Sequence, residues 1–189
     1  TQNTADYHHE WNVDSGDIIG LDGGLQYSDL TIGQGISAGV GTPTSGYENH
    51  TVISHGSEYL LVLPNTVASS VDYFDFTSMA TGNQTLSGTS GNDVLIGAAG
   101  IDTVTSNTGT DVIITNAGND AITVDGAGNK TIDGGAGTDS LTISVSGNNN
   151  LGSYAITQSG DYLVLTDASS NAIQFKNTES LTVGSITYI

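Results

Sequence analysis

The sequence predicts an all-β, repeat-built fold, a solenoid with a β-rich module before it and a β-hairpin cap after it. Three observations carry that expectation. Six nonapeptides on one template run through the middle of the chain. The composition, with 26 Gly and only 12% charged residues beside many Thr, Ser, Asn and Val, suits short strands and tight turns rather than disorder. No amphipathic pattern longer than a few residues supports a helix; one short helix is expected at Ser69 to Ser78, where Val71, Phe74 and Met79 would share a face.

Residues 1–78 are expected to form the N-terminal module. Strand-like runs occur at Asp17-Ile-Ile-Gly-Leu, Leu30-Thr-Ile, Thr51-Val-Ile-Ser and Tyr59-Leu-Leu-Val-Leu. Gly33 to Tyr47 is rich in Gly, Ser and Thr and is expected to be an exposed loop. Residues 79–145 hold the repeats, and residues 146–189 the cap. The cap's strands are expected at Tyr154-Ala-Ile-Thr, Asp161-Tyr-Leu-Val-Leu-Thr, Ile173-Gln-Phe and Ser180-Leu-Thr-Val, with a hairpin turn at Ser169-Ser-Asn.

The repeats read Gly88-Thr-Ser-Gly-Asn-Asp-Val-Leu-Ile96, Gly97-Ala-Ala-Gly-Ile-Asp-Thr-Val-Thr105 and Ser106-Asn-Thr-Gly-Thr-Asp-Val-Ile-Ile114. Then come Thr115-Asn-Ala-Gly-Asn-Asp-Ala-Ile-Thr123, Asp125-Gly-Ala-Gly-Asn-Lys-Thr-Ile-Asp133 and Gly134-Gly-Ala-Gly-Thr-Asp-Ser-Leu-Thr142. Val124 alone interrupts the register. Every unit has Gly fourth and an aliphatic residue eighth, and all but one have Asp sixth. Met79 to Ser87 makes a weak seventh unit, with Gly82 in place and Gln84 where Asp belongs.

This pattern resembles the nonapeptide repeat of RTX proteins. The resemblance implies a parallel β-roll loaded with several calcium ions. The residue types agree with it. Gly at the fourth place tolerates positive φ in a tight bend. Asp at the sixth is a hard anionic ligand suited to Ca²⁺. The eighth residue points inward, and the seventh and ninth point outward. With two units per turn, each unit stacks on the one two along. Asp102, Asp120 and Asp139 then superpose in a first stack, and Asp93, Asp111 and Lys130 in a second. Candidate metal-site residues are Asp93, Asp102, Asp111, Asp120 and Asp139, the glycines Gly91, Gly100, Gly109, Gly118 and Gly137, and the loop residues Asn107 and Asn116. Lys130 stands where a carboxylate is expected and is read as a built-in cation at the end of the roll. The alternative is a decayed repeat with a solvated lysine.

The flanks carry family resemblance too. Gly16 to Ile32 and Tyr59 to Phe76 resemble the segment that commonly follows RTX arrays in bacterial secreted proteins, and Phe175 to Tyr188 resembles another flanking type. The resemblance implies export by type I secretion and an extracellular or cell-surface location. The chain does not begin with Met and displays no signal peptide, which suggests a processed chain or a piece of a longer one.

Charge narrows the partners. Twenty acidic and 2 basic residues give −18, which disfavours nucleic acid and anionic membranes. There is no cysteine, so neither a disulfide nor a thiolate metal site is available. No apolar run is long enough for a transmembrane helix.

The outward residues of the first stack are hydroxyl-rich: Thr103/Thr105, Ala121/Thr123 and Ser140/Thr142. Those of the second are Val94/Ile96, Val112/Ile114 and Thr131/Asp133, and the four aliphatic ones form a packing or assembly face that needs a cover. No enzyme is expected. His8, His9, Glu10, His50 and His55 form no known catalytic spacing, and adjacent strand residues face opposite ways. Trp11, Tyr7 and Tyr27 suit the core of the N-terminal module or a sugar or peptide pocket.

The functional expectation is a secreted calcium-binding structural protein that folds after export and self-assembles head to tail into a filament, sheath or surface layer. A ligand-binding module of a large RTX adhesin is the alternative. A small ice-binding protein using the Thr-rich face is a further one.

Overall fold

A computed structural model describes residues 18–21, 25–34, 50–56, 58–63, 65–78, 80 and 82–188. The expectations about Tyr7, His8, His9, Glu10, Trp11, Met79 and most of the Gly33 to Tyr47 loop lie outside these residues. The chain divides into two compact units, one of residues 1–19 and 29–76, the other of residues 20–28 and 77–189.

In the first unit, β2 (Leu30–Gln34), β3 (Thr51–His55) and β4 (Glu58–Leu63) form an antiparallel sheet with β3 in the middle. Val52, Ile53 and Leu63 are buried. Thr51 Oγ1 and Gln34 Nε2 both donate to the Thr66 carbonyl, at 2.7 and 3.1 Å, and Gln34 Oε1 accepts from the Ala68 N–H at 2.8 Å. These bonds tie the chain leaving β4 to the sheet. The short helix expected at Ser69 to Ser78 does not form. Two 3₁₀ turns, Ala68–Ser70 and Tyr73–Asp75, lead instead into β5 (Phe76–Ser78), which pairs with β1 (Ile19–Leu21). With β-branched Val71, Thr77 and three serines in this stretch, the local preference falls to turns and strand.

The second unit is the roll. Its strands are β6 (Thr85–Ser87), β7 (Val94–Ile96), β8 (Thr103–Thr105), β9 (Asp111–Ile114), β10 (Ala121–Val124), β11 (Lys130–Asp133) and β12 (Ser140–Ile143). They alternate between two parallel sheets. The hydroxyl sheet stacks β6, β8, β10 and β12, and the aliphatic sheet stacks β7, β9 and β11. The weak seventh unit opens the first stack through β6.

The stacking continues past residue 145. β15 (Ala172–Lys176) lies parallel on β11, and β16 (Ser180–Val183) lies parallel on β12. Beyond β15 a hairpin of β13 (Ala155–Ser159) and β14 (Tyr162–Thr166) extends the aliphatic sheet, while beyond β16, β17 (Ile186–Tyr188) extends the hydroxyl sheet. The segment expected as a cap therefore supplies another turn of the roll. The reason is visible in its side chains. Ile173 and Phe175, Leu181 and Val183 alternate inward and complete the same apolar columns as Ile132, Leu141 and Ile143. Val124, the residue that breaks the repeat register, also points inward, at 0% exposure, beside Ile143.

Between the sheets lies an apolar interior containing Val104, Ile113, Ile122, Ile132, Leu141, Leu165, Phe175 and Val183, all buried. Burying each such side chain contributes about 1.5–3 kcal/mol. Outside, the hydroxyl sheet presents two columns: Thr85, Thr103, Ala121, Ser140 and Ser180, then Ser87, Thr105, Thr123, Thr142, Thr182 and Thr187.

Candidate metal centre

The loops between strands stack as closely as the strands do. Fourth-place glycines make that possible. Gly109, Gly118, Gly128 and Gly137 have φ of 120°, 148°, 116° and 149°. A Cβ on Gly118 would overlap the Gly100 carbonyl oxygen, and one on Gly137 the Gly118 oxygen. Only glycine fits that approach. Gly91 and Gly100, in the first two units, do not have positive φ.

Side chains then bond one loop to the next. Asp102, Asp111, Asp120 and Asp139 each accept, through Oδ1, the backbone N–H of the sixth place below. In the first stack Gln84 donates to Asp102 at 2.7 Å, Asp102 to Asp120 at 2.7 Å and Asp120 to Asp139 at 2.8 Å. Asp139 N–H donates to Glu179 Oε2 at 2.7 Å, so Glu179 continues the ladder. In the second stack Asp93 N–H donates to Asp111 Oδ1 at 3.1 Å.

The other carboxylate oxygens divide the loops into two kinds. Asp93 Oδ2 and Asp102 Oδ2 turn back onto the N–H groups of Thr89 and Ala98, each at 2.7 Å. Oδ2 of Asp120 and of Asp139 has no hydrogen-bond partner, although both residues are only 1% exposed. The second place of the unit differs accordingly. Asn107, Asn116 and Gly135 are left-handed there, at φ 56°, 68° and 80°, whereas Thr89 and Ala98 are not. Asn107 and Gly135 donate their N–H groups instead to Asp125 Oδ1 and Asp133 Oδ1, at 2.9 and 3.1 Å. Asn107 and Asn116 also donate their side-chain amides to the carbonyls of Gly88 and Gly97 in the loop below, at 2.6 and 2.8 Å.

Buried carboxylate oxygens without partners are costly. Burial is the main reason the Asp139 carboxyl is raised above its ordinary 3.8, and the neighbouring Asp120, Glu179 and Asp133 charges push the same way. The first stack has no cation of its own. Lys130 and Lys176, the chain's only basic residues, pair with Asp111 at 3.1 Å and Asp133 at 2.9 Å in the second. The donors are all oxygen, as hard divalent cations require. Among the described residues no three His, Cys, Asp or Glu side chains gather at one point. An ion here must therefore draw on loop carbonyls as well as on the carboxylates, a mixture calcium accepts at coordination numbers of about 6–8.

The family of RTX calcium-binding nonapeptide repeats matches this part of the chain in four copies, over residues 80–112, 87–122 and 122–142. Residues 80–142 are an RTX repeat array. RTX nonapeptide repeats bind calcium ions, and the open Asp120 and Asp139 loops have the oxygen-rich, electron-dense character that such an ion needs. The match spans about a third of the chain. No curated protein matches it.

Two features of the RTX loops escaped the sequence reading. Glu179 ends the first carboxylate ladder; Glu179-Ser-Leu-Thr-Val183 repeats Asp139-Ser-Leu-Thr-Ile143, a signal present in the sequence. Fifth-place asparagines form another ladder: Oδ1 of Asn83, Asn92, Asn119 and Asn129 accepts the N–H of Ile101, Thr110, Thr138 and Ala172 above, at 2.8–3.0 Å. Lys130 also differs from its expected place. It ends the polar sixth-place column but not the roll, because Ile173 of β15 lies on it. As for the aliphatic outer row, Ile96 is 1% and Ile114 9% exposed, with Val94 and Val112 half-buried. Most of that row is already out of water within one chain.

Proposed function

We propose that the protein is a secreted structural subunit that folds on calcium outside the cell and joins end to end into a filament, sheath or surface layer. One observation carries the reading: the end of the roll at β13 and β17 is unguarded. The edge strands are β6 and β7 at one end and β13 and β17 at the other. None of the four contains a charged residue, in a chain of net charge −18. All five residues of β13 are exposed. Beside it the inward-facing columns run out into water at Ile156, Leu163 and Ile186, exposed by 49%, 38% and 48%. Soluble proteins usually blunt such edges with lysine, proline or a bulge. A second copy, offering the exposed edge of β6, would meet backbone donors and acceptors and apolar surface without opposing charge. That contact is heterologous, so it propagates.

Calcium supplies the timing. Where free calcium is low, the unneutralised carboxylates leave the chain loose and exportable; outside, affinities of about 10⁻⁴–10⁻³ M suffice. Light scattering on a sizing column and electron microscopy, with calcium and with chelator, test this. Assemblies are expected in calcium, and Ile156→Lys should dissolve them while leaving the subunit folded. A strictly monomeric calcium-loaded protein at high concentration would rule the reading out.

A second reading is favoured by the outer face of the hydroxyl sheet. Its two columns run over five and six strands, longer than the repeats alone supply. Hydroxyls spaced by about 6.6–6.8 Å along and about 4.7–4.9 Å across the strands form a regular array that could order water against ice.

A further inference from the structure

We propose that Lys130 permanently fills a cation site of the roll, so that one position of the second stack is held by the chain's own ammonium instead of by calcium. Lys130 lies in register on Asp111 and its side chain is 0% exposed. A lysine left over from a decayed repeat would keep its head in water. This one does not. Its Nζ meets three oxygens: Gly109 O at 2.7 Å, Asp111 Oδ2 at 3.1 Å and Ala127 O at 3.3 Å. The two carbonyls accept hydrogen bonds from the ammonium, and the Asp111 carboxylate opposes its charge as an ion pair. A carboxylate from the loop below, a fourth-place carbonyl from the same loop and a third-place carbonyl from the lysine's own loop make an oxygen-only shell of the sort a hard cation takes.

The first stack offers the same frame without the ammonium. Gly118 and Gly137 there adopt the left-handed geometry of Gly109 and Gly128. Asp120 Oδ2, the counterpart of the oxygen that Lys130 binds, has no hydrogen-bond partner at 1% exposure. The position of the lysine head thus marks where positive charge belongs in these loops. Beyond Lys130 the sixth-place column turns apolar, through Ile173 and Leu165. An ion at that level would have no carboxylate above it, whereas a lysine brings its charge on a hydrocarbon stem suited to an apolar neighbour. The inference does not depend on assembly.

Counting bound ions tests it. Calcium bound per chain is measured by native mass spectrometry and by equilibrium dialysis for the wild type, Lys130→Asp and Lys130→Met. Lys130→Asp restores the sixth-place carboxylate and should bind one more ion than the wild type. Lys130→Met keeps the stem but not the charge. It should bind no extra ion and should need several-fold more calcium to fold, because Asp111 is left buried without a countercharge. A Lys130→Asp protein that binds the wild-type number of ions, or that folds at no calcium concentration, overturns the proposal. So does a Lys130→Met protein whose calcium requirement is unchanged.

Discussion

At the scale of single residues, the second place of each nonapeptide governs what its aspartate can do. Asn116 and Gly135 accept a left-handed backbone and leave Oδ2 of Asp120 and Asp139 open; Thr89 and Ala98 do not, and Asp93 and Asp102 bond back to them. The sixth-place aspartates are therefore unequal. Asp120→Asn and Asp139→Asn should raise the calcium needed for half-folding by about tenfold or more, roughly 1.4 kcal/mol or above. Asp93→Asn, whose oxygen already has a partner, should shift it by less; equal shifts in a titration followed by circular dichroism would count against the two kinds of loop. The aspartates and glycines were readable from their spacing. The inequality was not, because it depends on which backbone region Asn, Gly, Thr and Ala take two places into each loop. Titration follows from the same burial. In the metal-free folded state the Asp139 carboxyl holds its proton to higher pH than in the unfolded chain, where 3.8 is the ordinary value. Its contribution to stability is thus present below 3.8 and lost as pH rises through the raised folded-state value. Metal-free protein should gain structure on acidification from about pH 7 to about pH 4, while calcium affinity falls over the same range as protons compete for the ligands. Urea melts in chelator and calcium titrations across that range check both signs.

At the scale of elements, the strands of the roll were legible because the repeat fixes which residue faces inward. β15 and β16 were legible as strands but not as roll. They lack the glycine-aspartate loop, and the β13–β14 hairpin separates them from β12 in the chain, so their marks are the alternation of Ile173 with Phe175 and Leu181 with Val183 and the echo of Asp139-Ser-Leu-Thr-Ile143 in Glu179-Ser-Leu-Thr-Val183. The helix expected at Ser69 to Ser78 rested on three apolar positions, too few to outweigh turn-forming serines. The added strands lengthen the hydroxyl face, which gives the ice reading its test. Thermal hysteresis should be measurable in calcium, and Thr105→Tyr or Thr123→Tyr, placed centrally on that face, should abolish it without lowering the melting temperature by more than a few degrees. Absence of hysteresis in the wild type would remove that reading.

At the scale of the whole molecule, charge and fold are one problem. A chain of −18 with 2 basic residues must gather carboxylates in order to stack its loops. Both lysines serve the second stack, and the first has Asp102, Asp120, Asp139 and Glu179 in line with no basic residue. Metal ions are what remain to hold it. The most direct measurement is far-ultraviolet circular dichroism with small-angle scattering on metal-stripped protein as calcium is returned. A loose, expanded chain should collapse cooperatively to a compact roll, with a melting temperature that climbs with calcium concentration. Identical spectra, dimensions and melting in chelator and in calcium would contradict the account.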